Sequence, residues 1–368
     1  MTANPKIAKI LLEDGTIYEG KSFGASGTKF GEVVFNTSMT GYQEILTDPS
    51  YAGQVIVMTY PEIGNYGINS NDFESKSPAT RGFVIKSNCK DDSHYKSEKT
   101  LSNYLEKHDI VGIEGIDTRG LVRKIREKGS MNCVITTEKI TDELKNQLAN
   151  YKMDKDIVLT VSRKESEHIP NTGVKMAFVD FGAKQNIINN LIQKGCDLTI
   201  FPADVKADEI LLGDFDAVFL SNGPGDPQDV TYAIKTVKEL SGKLPIFGIC
   251  LGYQILSIVL GAKTYKLKYG HRGGNHPVIN LQTKKVMMTS QNHSYAVDMT
   301  DLPPNMIPTY VNLNDNTLEG FSFPILGIEG VQFHPEAAPG PLDANEIFDM
   351  WIEKIQKVKE EKCQKMHR

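Results

Sequence analysis

The stretch Pro245-Ile246-Phe247-Gly248-Ile249-Cys250-Leu251-Gly252-Tyr253-Gln254 decides the fold. An apolar run of β-forming residues ends at a Gly-x-Cys-x-Gly turn, and a helical pattern over residues 254–260 follows at once. A strand, a tight turn and a helix form the elbow that presents a nucleophilic Ser or Cys above a parallel sheet. Glycines on both sides of Cys250 let the backbone bend sharply there. An average cysteine is a buried core residue, but this pattern predicts that Cys250 is a nucleophile.

A second segment supplies the base that such a nucleophile needs. Residues 327–333 predict a strand, and His334-Pro335-Glu336 ends it, because proline cannot donate to a sheet. Side chains two residues apart on an extended chain point the same way, so His334 and Glu336 can face each other. A carboxylate fixes the imidazole tautomer and stabilises the imidazolium that forms when the ring takes a thiol proton. We therefore prefer His334 over the seven other histidines, which are more typical of structural or surface groups.

Together these segments resemble the Cys-His-Glu site of class I (triad-type) glutamine amidotransferases. Residues 221–227 (SNGPGDP) and 290–295 (SQNHSY) are similar to the glutamine-pocket segments of that family. Taken alone, the first of these would be a surface turn. The resemblance implies the catalytic residues Cys250, His334 and Glu336, with oxyanion donors from the N–H groups of Leu251 and Gly223.

The same resemblance implies a set of glutamine contacts: Ser50 from the amino-terminal domain, then Gly223, Gly225, Leu251, Gln254, Asn292, Ser294 and Tyr295. Two positions depart from the family pattern. Tyr253 stands where histidine is usual, and Ser294 stands where glycine is usual. Neither departure affects the three catalytic residues. At position 294, however, the serine places a side chain where the usual glycine has none.

The first half of the chain narrows the resemblance. Residues 35–44 (FNTSMTGYQE) and 47–51 (TDPSY) are similar to the small chain of carbamoyl-phosphate synthetase, and residues 59–61, 64–67 and 115–119 extend the likeness. This implies a glutaminase subunit that pairs, as a heterodimer, with a large synthetase chain. ATP and Mg would bind that partner, which makes carbamoyl phosphate from bicarbonate and ammonia. We expect no cofactor on this chain, since no Gly-x-Gly-x-x-Gly motif follows a predicted strand. We also expect no metal, since the histidines of residues 270–276 (GHRGGNH) lack carboxylate or cysteine partners at ligand spacing.

Composition sets the broad class of protein. The chain has 368 residues, 40% of them hydrophobic and 24% charged, which predicts two or three soluble globular domains. A net charge of −5 gives no general attraction to nucleic acid or to anionic membranes. Five scattered cysteines without a Cys-x-x-Cys motif are typical of a reduced compartment. Residues 1–8 lack a signal-peptide core, so we expect a cytoplasmic protein.

The pattern of apolar and polar residues predicts two domains. Residues 1–161 predict a mixed, β-rich α/β domain. The periodicity of its apolar residues does not determine the order of its strands. A polar stretch over 162–173 is the expected linker. From residue 174 to 368 strands and helices alternate, which predicts a doubly wound, mainly parallel sheet with ligands at the carboxyl ends of its strands. Residues 263–290 predict inserted antiparallel strands.

Two other functions remain open from the sequence. The chain could be a non-catalytic module that only organises the large chain, although such a module would not need all of Cys250, His334 and Glu336. It could also be a stand-alone glutamine hydrolase with the same residues. The family-like segments of the first domain argue against that second alternative.

Overall fold

A computed structural model describes residues 6–366, with side chains through residue 361. Residues 1–5, on which the expectation about a signal peptide partly rests, lie outside the described part, as does the side chain of Cys363. Contacts divide the chain into two compact units, Met1–Asp154 with Lys268–Gly273, and Lys155–Leu267 with Gly274–Arg368. Cys89, Cys133, Cys196 and Cys250 are free thiols. Among the described residues, no helix combines the length and apolar character needed to span a membrane.

The first unit is built on a closed barrel of seven strands in the order β1-β2-β8-β6-β4-β3-β9. The strands of this unit are β1 (Ile7–Leu12), β2 (Ile17–Ser22), β3 (Thr28–Asn36), β4 (Gln54–Met58), β5 (Glu62–Ile63), β6 (Gly82–Ile85), β7 (Ser87–Asn88), β8 (Val111–Glu114) and β9 (Met131–Thr136). Its helices are α1 (Tyr42–Thr47), α2 (Leu101–Lys107), α3 (Thr118–Lys128) and α4 (Asp142–Asn150). The predicted mixed, β-rich domain is confirmed.

The barrel strands bury apolar side chains on both sides. Val33 and Val55 pack in a cluster that includes Leu121 of α3. Their neighbours Val34 and Ile56 pack instead with residues of α1 and α2. This follows from the two-residue period of a strand, which sends successive side chains to opposite faces. Helix α3 therefore packs with side chains from one face of the barrel wall, and α1 and α2 pack with side chains from the other face.

One stretch of the first unit matches a nucleotide-binding motif by spacing alone. Residues 15–22 (GTIYEGKS) have the Gly-x-x-x-x-Gly-Lys-Ser spacing of a phosphate-binding loop. That motif binds phosphate only as a loop that leads from a strand into a helix. Here Ile17–Ser22 is strand β2, paired antiparallel with β1. The spacing match therefore does not form a phosphate-binding loop.

The second unit is a ten-stranded sheet in the order β10-β12-β11-β13-β14-β19-β18-β16-β15-β17. Its strands are β10 (Glu167–Ile169), β11 (Lys175–Asp180), β12 (Asp197–Pro202), β13 (Ala217–Leu220), β14 (Ile246–Ile249), β15 (Thr264–Asn280), β16 (Val286–Val297), β17 (Ile307–Asn312), β18 (Leu318–Phe323) and β19 (Ile328–Val331). Its helices are α5 (Ile157–Val161), α6 (Gln185–Gln193), α7 (Ala207–Leu211), α8 (Thr231–Leu240), α9 (Leu251–Val259) and α10 (Glu346–Met366).

The central strands of this sheet are parallel and buried on both faces. β12, β11, β13, β14 and β19 pair in parallel, in that order. Ala177 and Val179 of β11 pack with α8 and α9. Their neighbours Met176 and Phe178 pack with α6 and α10. Helices on both faces of a mainly parallel sheet make this the doubly wound fold predicted from the sequence.

A sharp bend joins β14 to α9 at Cys250. Its φ is 52° and its ψ is −103°, outside the regions that a residue with a side chain normally occupies. The glycines beside it allow close packing. A Cβ on Gly252 would lie 2.4 Å from the carbonyl oxygen of Leu220, and one on Gly248 would lie 2.7 Å from the carbonyl carbon of Gly252. The elbow predicted from the sequence is therefore present.

We predict that Gly252→Ala lowers the free energy of unfolding of the second unit by about 3 kcal/mol, because its Cβ has no room. Gly195→Ala is the control, since no heavy atom lies within 4 Å of a Cβ there and only its φ of +86° opposes a side chain. That substitution should cost about 1 kcal/mol. Urea unfolding followed by fluorescence of Trp351, the single tryptophan, reports on this unit. Equal losses in the two variants would contradict the tight packing of the elbow.

Candidate active site

Three segments meet where the parallel strands β13, β14 and β19 end. The N–H of Cys250 donates to the carbonyl oxygen of Val331 at 2.9 Å, and the N–H of Gly252 donates to that of Ser221 at 3.0 Å. The carboxyl ends of neighbouring parallel strands lie at one edge of a sheet. The nucleophile elbow, the glycine loop over 221–227 and the segment that holds His334 are therefore fixed to one another by backbone hydrogen bonds.

Cys250 is 2% exposed, and its Sγ lies 3.7 Å from the carbonyl oxygen of Asn292 on β16. His334 is also buried, and its N–H donates to the carbonyl oxygen of Ser290 at 2.8 Å. Strand β16 thus contacts both the nucleophile and the expected base. Cys250 and His334, which are 84 positions apart in the chain, thus lie against the same strand, as predicted from the sequence.

His334 and Glu336 form the predicted pair, with Nδ1 of His334 2.6 Å from Oε1 of Glu336. The geometry differs from the expected one. Strand β19 already ends at Val331, and the N–H of Ala337 donates to the carbonyl oxygen of His334 at 3.1 Å. The two side chains therefore meet across a turn, not along an extended strand. The pairing was predicted correctly, but the reason given for it was wrong.

The second nitrogen of the ring is the one left for proton transfer. Nε2 of His334 is buried, and within the described part of the chain it has no hydrogen-bond partner. Burial alone lowers the pKa of His334, but the charge of Glu336 and the nearby Cys250 side chain raise it to about 10. A raised pKa favours the imidazolium form, which stabilises a neighbouring thiolate.

Lys184 is a site residue that sequence reasoning missed. Its Nζ donates to Oε1 of Glu336 at 2.9 Å and to the carbonyl oxygen of Ala337, and both charged side chains are at most 3% exposed. Burial raises the pKa of Glu336, but Lys184 and His334 outweigh it and lower that pKa to about 2. The carboxylate is thus held ionised. Asn186 adds a hydrogen bond at 2.7 Å to the carbonyl oxygen of Glu336.

The two expected oxyanion donors lie close together. A Cβ on Gly223 would be 2.8 Å from Cδ2 of Leu251, so the glycine loop packs directly against the start of α9. In the part of the chain that the structure describes, the N–H groups of Gly223 and Leu251 donate no hydrogen bond. Asn222 holds the loop by accepting a hydrogen bond at 3.0 Å from the N–H of Lys184.

The residues expected to contact glutamine fall in two places. Gly223, Gly225, Leu251, Gln254, Asn292, Ser294 and Tyr295 all belong to the second unit, and Gln254 donates to the carbonyl oxygen of Tyr295 at 2.9 Å. Ser294 is half-buried on β16. Ser50 belongs to the first unit, where its N–H donates to Oδ1 of Asp48. Its contact with glutamine stays a prediction.

Tyr253, which replaces the usual histidine, is a core residue. Its side chain is fully buried, its hydroxyl donates to the carbonyl oxygen of Leu318 at 3.2 Å, and its ring packs on Phe321. Burial raises the pKa of its hydroxyl well above the ordinary value. The phenol therefore stays neutral and takes part in packing.

We predict that Lys184→Met destabilises the second unit by about 3 kcal/mol near neutral pH, because it leaves the buried Glu336 carboxylate without its cation. Folding lowers the pKa of Glu336 from 4.5 to about 2. Its contribution to stability is therefore complete above pH 4.5 and is lost as the pH falls toward 2. The difference from the wild type should narrow below about pH 4.5.

Urea unfolding followed by Trp351 fluorescence at several pH values measures this difference. Lys194→Met is the matched control, since it removes a lysine whose Nζ pairs with a half-exposed Asp349 at 2.6 Å. That loss should be below about 1 kcal/mol. A Lys184→Met effect no larger than the control would show that Glu336 does not depend on this cation.

Comparisons with known proteins identify the family of this chain. Residues 10–135 match the family model "Carbamoyl-phosphate synthase small chain, CPSase domain", and residues 177–354 match "Glutamine amidotransferase class-I". The chain is 51% identical over 345 residues to the carbamoyl phosphate synthase small chain of Clostridium acetobutylicum, covering 93% of this chain and 98% of the relative. It is 49% identical to the one from Clostridium perfringens, with 94% and 98% covered, and 47% identical to the one from Rhodopirellula baltica, with 99% of both covered. The chain belongs to the family of carbamoyl-phosphate synthase small chains, and its second unit carries the class-I glutamine amidotransferase domain.

Proposed function

We propose that this chain hydrolyses L-glutamine to glutamate and ammonia with Cys250, His334 and Glu336, and delivers the ammonia to a large synthetase chain. The proposal rests on the hydrogen bonding of the His334 ring. Its Nδ1 is held by Glu336 at 2.6 Å, and its buried Nε2 has no other partner in the described chain. A ring held in this way can exchange a proton only through Nε2, next to the nucleophile.

The first half of the reaction forms a covalent intermediate. The Cys250 thiolate attacks the side-chain amide carbon of glutamine, so a C–S bond forms and the carbonyl electron pair moves to oxygen. The N–H groups of Leu251 and Gly223 stabilise that oxyanion, and each such donor contributes a factor of about 10²–10³ in rate. The imidazolium of His334 then gives its proton to the amide nitrogen. The C–N bond breaks, ammonia leaves, and a γ-glutamyl thioester remains.

The second half regenerates the thiolate. His334 takes a proton from water, and the resulting hydroxide attacks the thioester carbon. The C–S bond breaks, glutamate forms, and the thiolate again pairs with the imidazolium. Glu336 keeps Nδ1 protonated and stabilises the ring when it is charged. Lys184 in turn keeps Glu336 ionised.

The ammonia needs a protected route to its acceptor. Ammonia released into water is protonated and ceases to be a nucleophile, so a closed passage to the partner preserves its reactivity. We assign the ATP and Mg sites to the large chain, which would combine bicarbonate and ammonia into carbamoyl phosphate. Support for this partner comes from the small-chain match over residues 10–135.

We predict that Cys250→Ala abolishes glutamine-dependent carbamoyl phosphate synthesis by the complex and leaves ammonia-dependent synthesis within about twofold of the wild type. The reason is that the substitution removes only the nucleophile. Product formation is measured with each nitrogen source in turn. Cys89→Ser, a thiol in the first unit, is the control and should retain both activities.

Three outcomes would contradict the proposal. Glutamine use that survives Cys250→Ala would favour a module that only organises the large chain. Loss of both activities would show that the division of labour between chains is wrong. Rapid glutamine hydrolysis by the wild-type chain alone, unaffected by the partner, bicarbonate and ATP, would indicate a stand-alone hydrolase.

A further inference from the structure

Two buried amide side chains lie beside the nucleophile elbow. Nε2 of Gln254, on α9, donates at 2.9 Å to the carbonyl oxygen of Tyr295 and at 2.9 Å to Oε1 of Gln332. A side-chain amide nitrogen carries two hydrogens, and both are used here. The free hydrogen-bonding atom of Gln254 is thus its carbonyl oxygen. Within the described part of the chain, that oxygen accepts no hydrogen bond.

The direction of both amides is fixed by a backbone atom. The carbonyl oxygen of Tyr295 can only accept a hydrogen bond, so Gln254 must turn its nitrogen toward it. The other hydrogen of that nitrogen then requires an acceptor, and Gln332 must turn its own oxygen toward Gln254. Reversing either amide would place two donors or two acceptors against each other.

This arrangement leaves Gln332 with an unpaired group. Gln332 is 0% exposed, and its Nε2 is buried without a hydrogen-bond partner in the described chain. A buried donor without an acceptor costs stability, and a well-packed apolar residue would avoid that cost. The residue lies just after β19, where its N–H donates to the carbonyl oxygen of Glu319 at 2.9 Å. Its main chain is therefore anchored two residues before His334.

We propose that Gln332 is a positioning residue that holds Gln254 with its carbonyl oxygen available to the substrate. The inference rests on the proposed function, in which Gln254 contacts glutamine. Away from the reacting amide, glutamine offers one strong donor, the α-ammonium group, and one acceptor, the α-carboxylate. An oxygen acceptor on Gln254 recognises the ammonium group. The site then selects amides that carry a free α-ammonium group.

The test compares two substitutions in the full chain. In Gln332→Met the side chain keeps a similar length but offers no hydrogen-bond acceptor to Gln254. Gln332→Glu keeps an oxygen acceptor whether or not its carboxyl group is protonated. The substrates are L-glutamine and glutaramate, which has the same amide and carboxylate but no α-amino group. Gln282→Met, at an exposed glutamine between β15 and β16, is the control and should match the wild type.

Gln332→Met should raise KM for L-glutamine about tenfold and leave kcat within about twofold, because a hydrogen bond to a charged group is weakened. For glutaramate, kcat/KM should stay within about twofold of the wild type, since this substrate has no ammonium group to contact Gln254. Gln332→Glu should keep KM for L-glutamine within about threefold. Should Gln332→Met fail to fold, Gln332→Asn, which shortens the reach of the acceptor, gives the same comparison.

Two results would overturn the inference. Equal losses with both substrates would show that Gln332 only supports the packing of the site. An unchanged KM for L-glutamine would show that Gln254 does not need it. A wild-type complex with no glutamine hydrolysis would instead overturn the proposed function, so the two failures are distinguishable.

Discussion

The bend of the backbone at Cys250 is the constraint on which the rest of the site depends. A residue with a side chain in this conformation stores strain, of the order of 1–3 kcal/mol, and such strain persists only where the surroundings enforce it. Hydrogen bonds from Cys250 to Val331 and from Gly252 to Ser221 enforce it on both sides of the bend. Because Gly248 and Gly252 have no Cβ atoms, neighbouring backbone can pack closely against the bend. The sulfur is thereby fixed at the sheet edge where three strands end, within reach of groups from β16 and of the segment after β19.

Buried charge is the second constraint. Lys184, Glu336 and His334 form a chain of ionisable groups in which no side chain is more than 3% exposed. Burying a single charge costs several kcal/mol, so each group depends on its neighbour. The same chain lowers the pKa of Glu336 and raises that of His334. Stability and reactivity therefore share one set of contacts, and the imidazole cannot rotate without leaving charges unpaired.

The parts of this structure that local patterns encode could be predicted from the sequence. The elbow at Cys250 and the alternating strands and helices after residue 174 are examples. The two-residue spacing of His334 and Glu336 also predicted their pairing, although a turn, and not an extended strand, brings the two side chains together. The barrel was not predictable, because it closes by pairing β1 with β9, more than a hundred residues later. Lys184 was missed because a lysine at the start of a helix is usually solvated. The only available signal was its place four residues after a buried strand, at the sheet edge that also holds Cys250.

Covalent labelling tests the central claim most directly. A glutamine analogue whose side-chain amide is replaced by a chloromethyl ketone resembles the substrate but reacts irreversibly with the nucleophile that attacks it. Peptide mapping by mass spectrometry after one equivalent has reacted identifies that nucleophile, and excess L-glutamine should protect it. The account predicts one label per chain, on Cys250. A label on Cys89, Cys133 or Cys196, or inactivation with Cys250 unmodified, would contradict it.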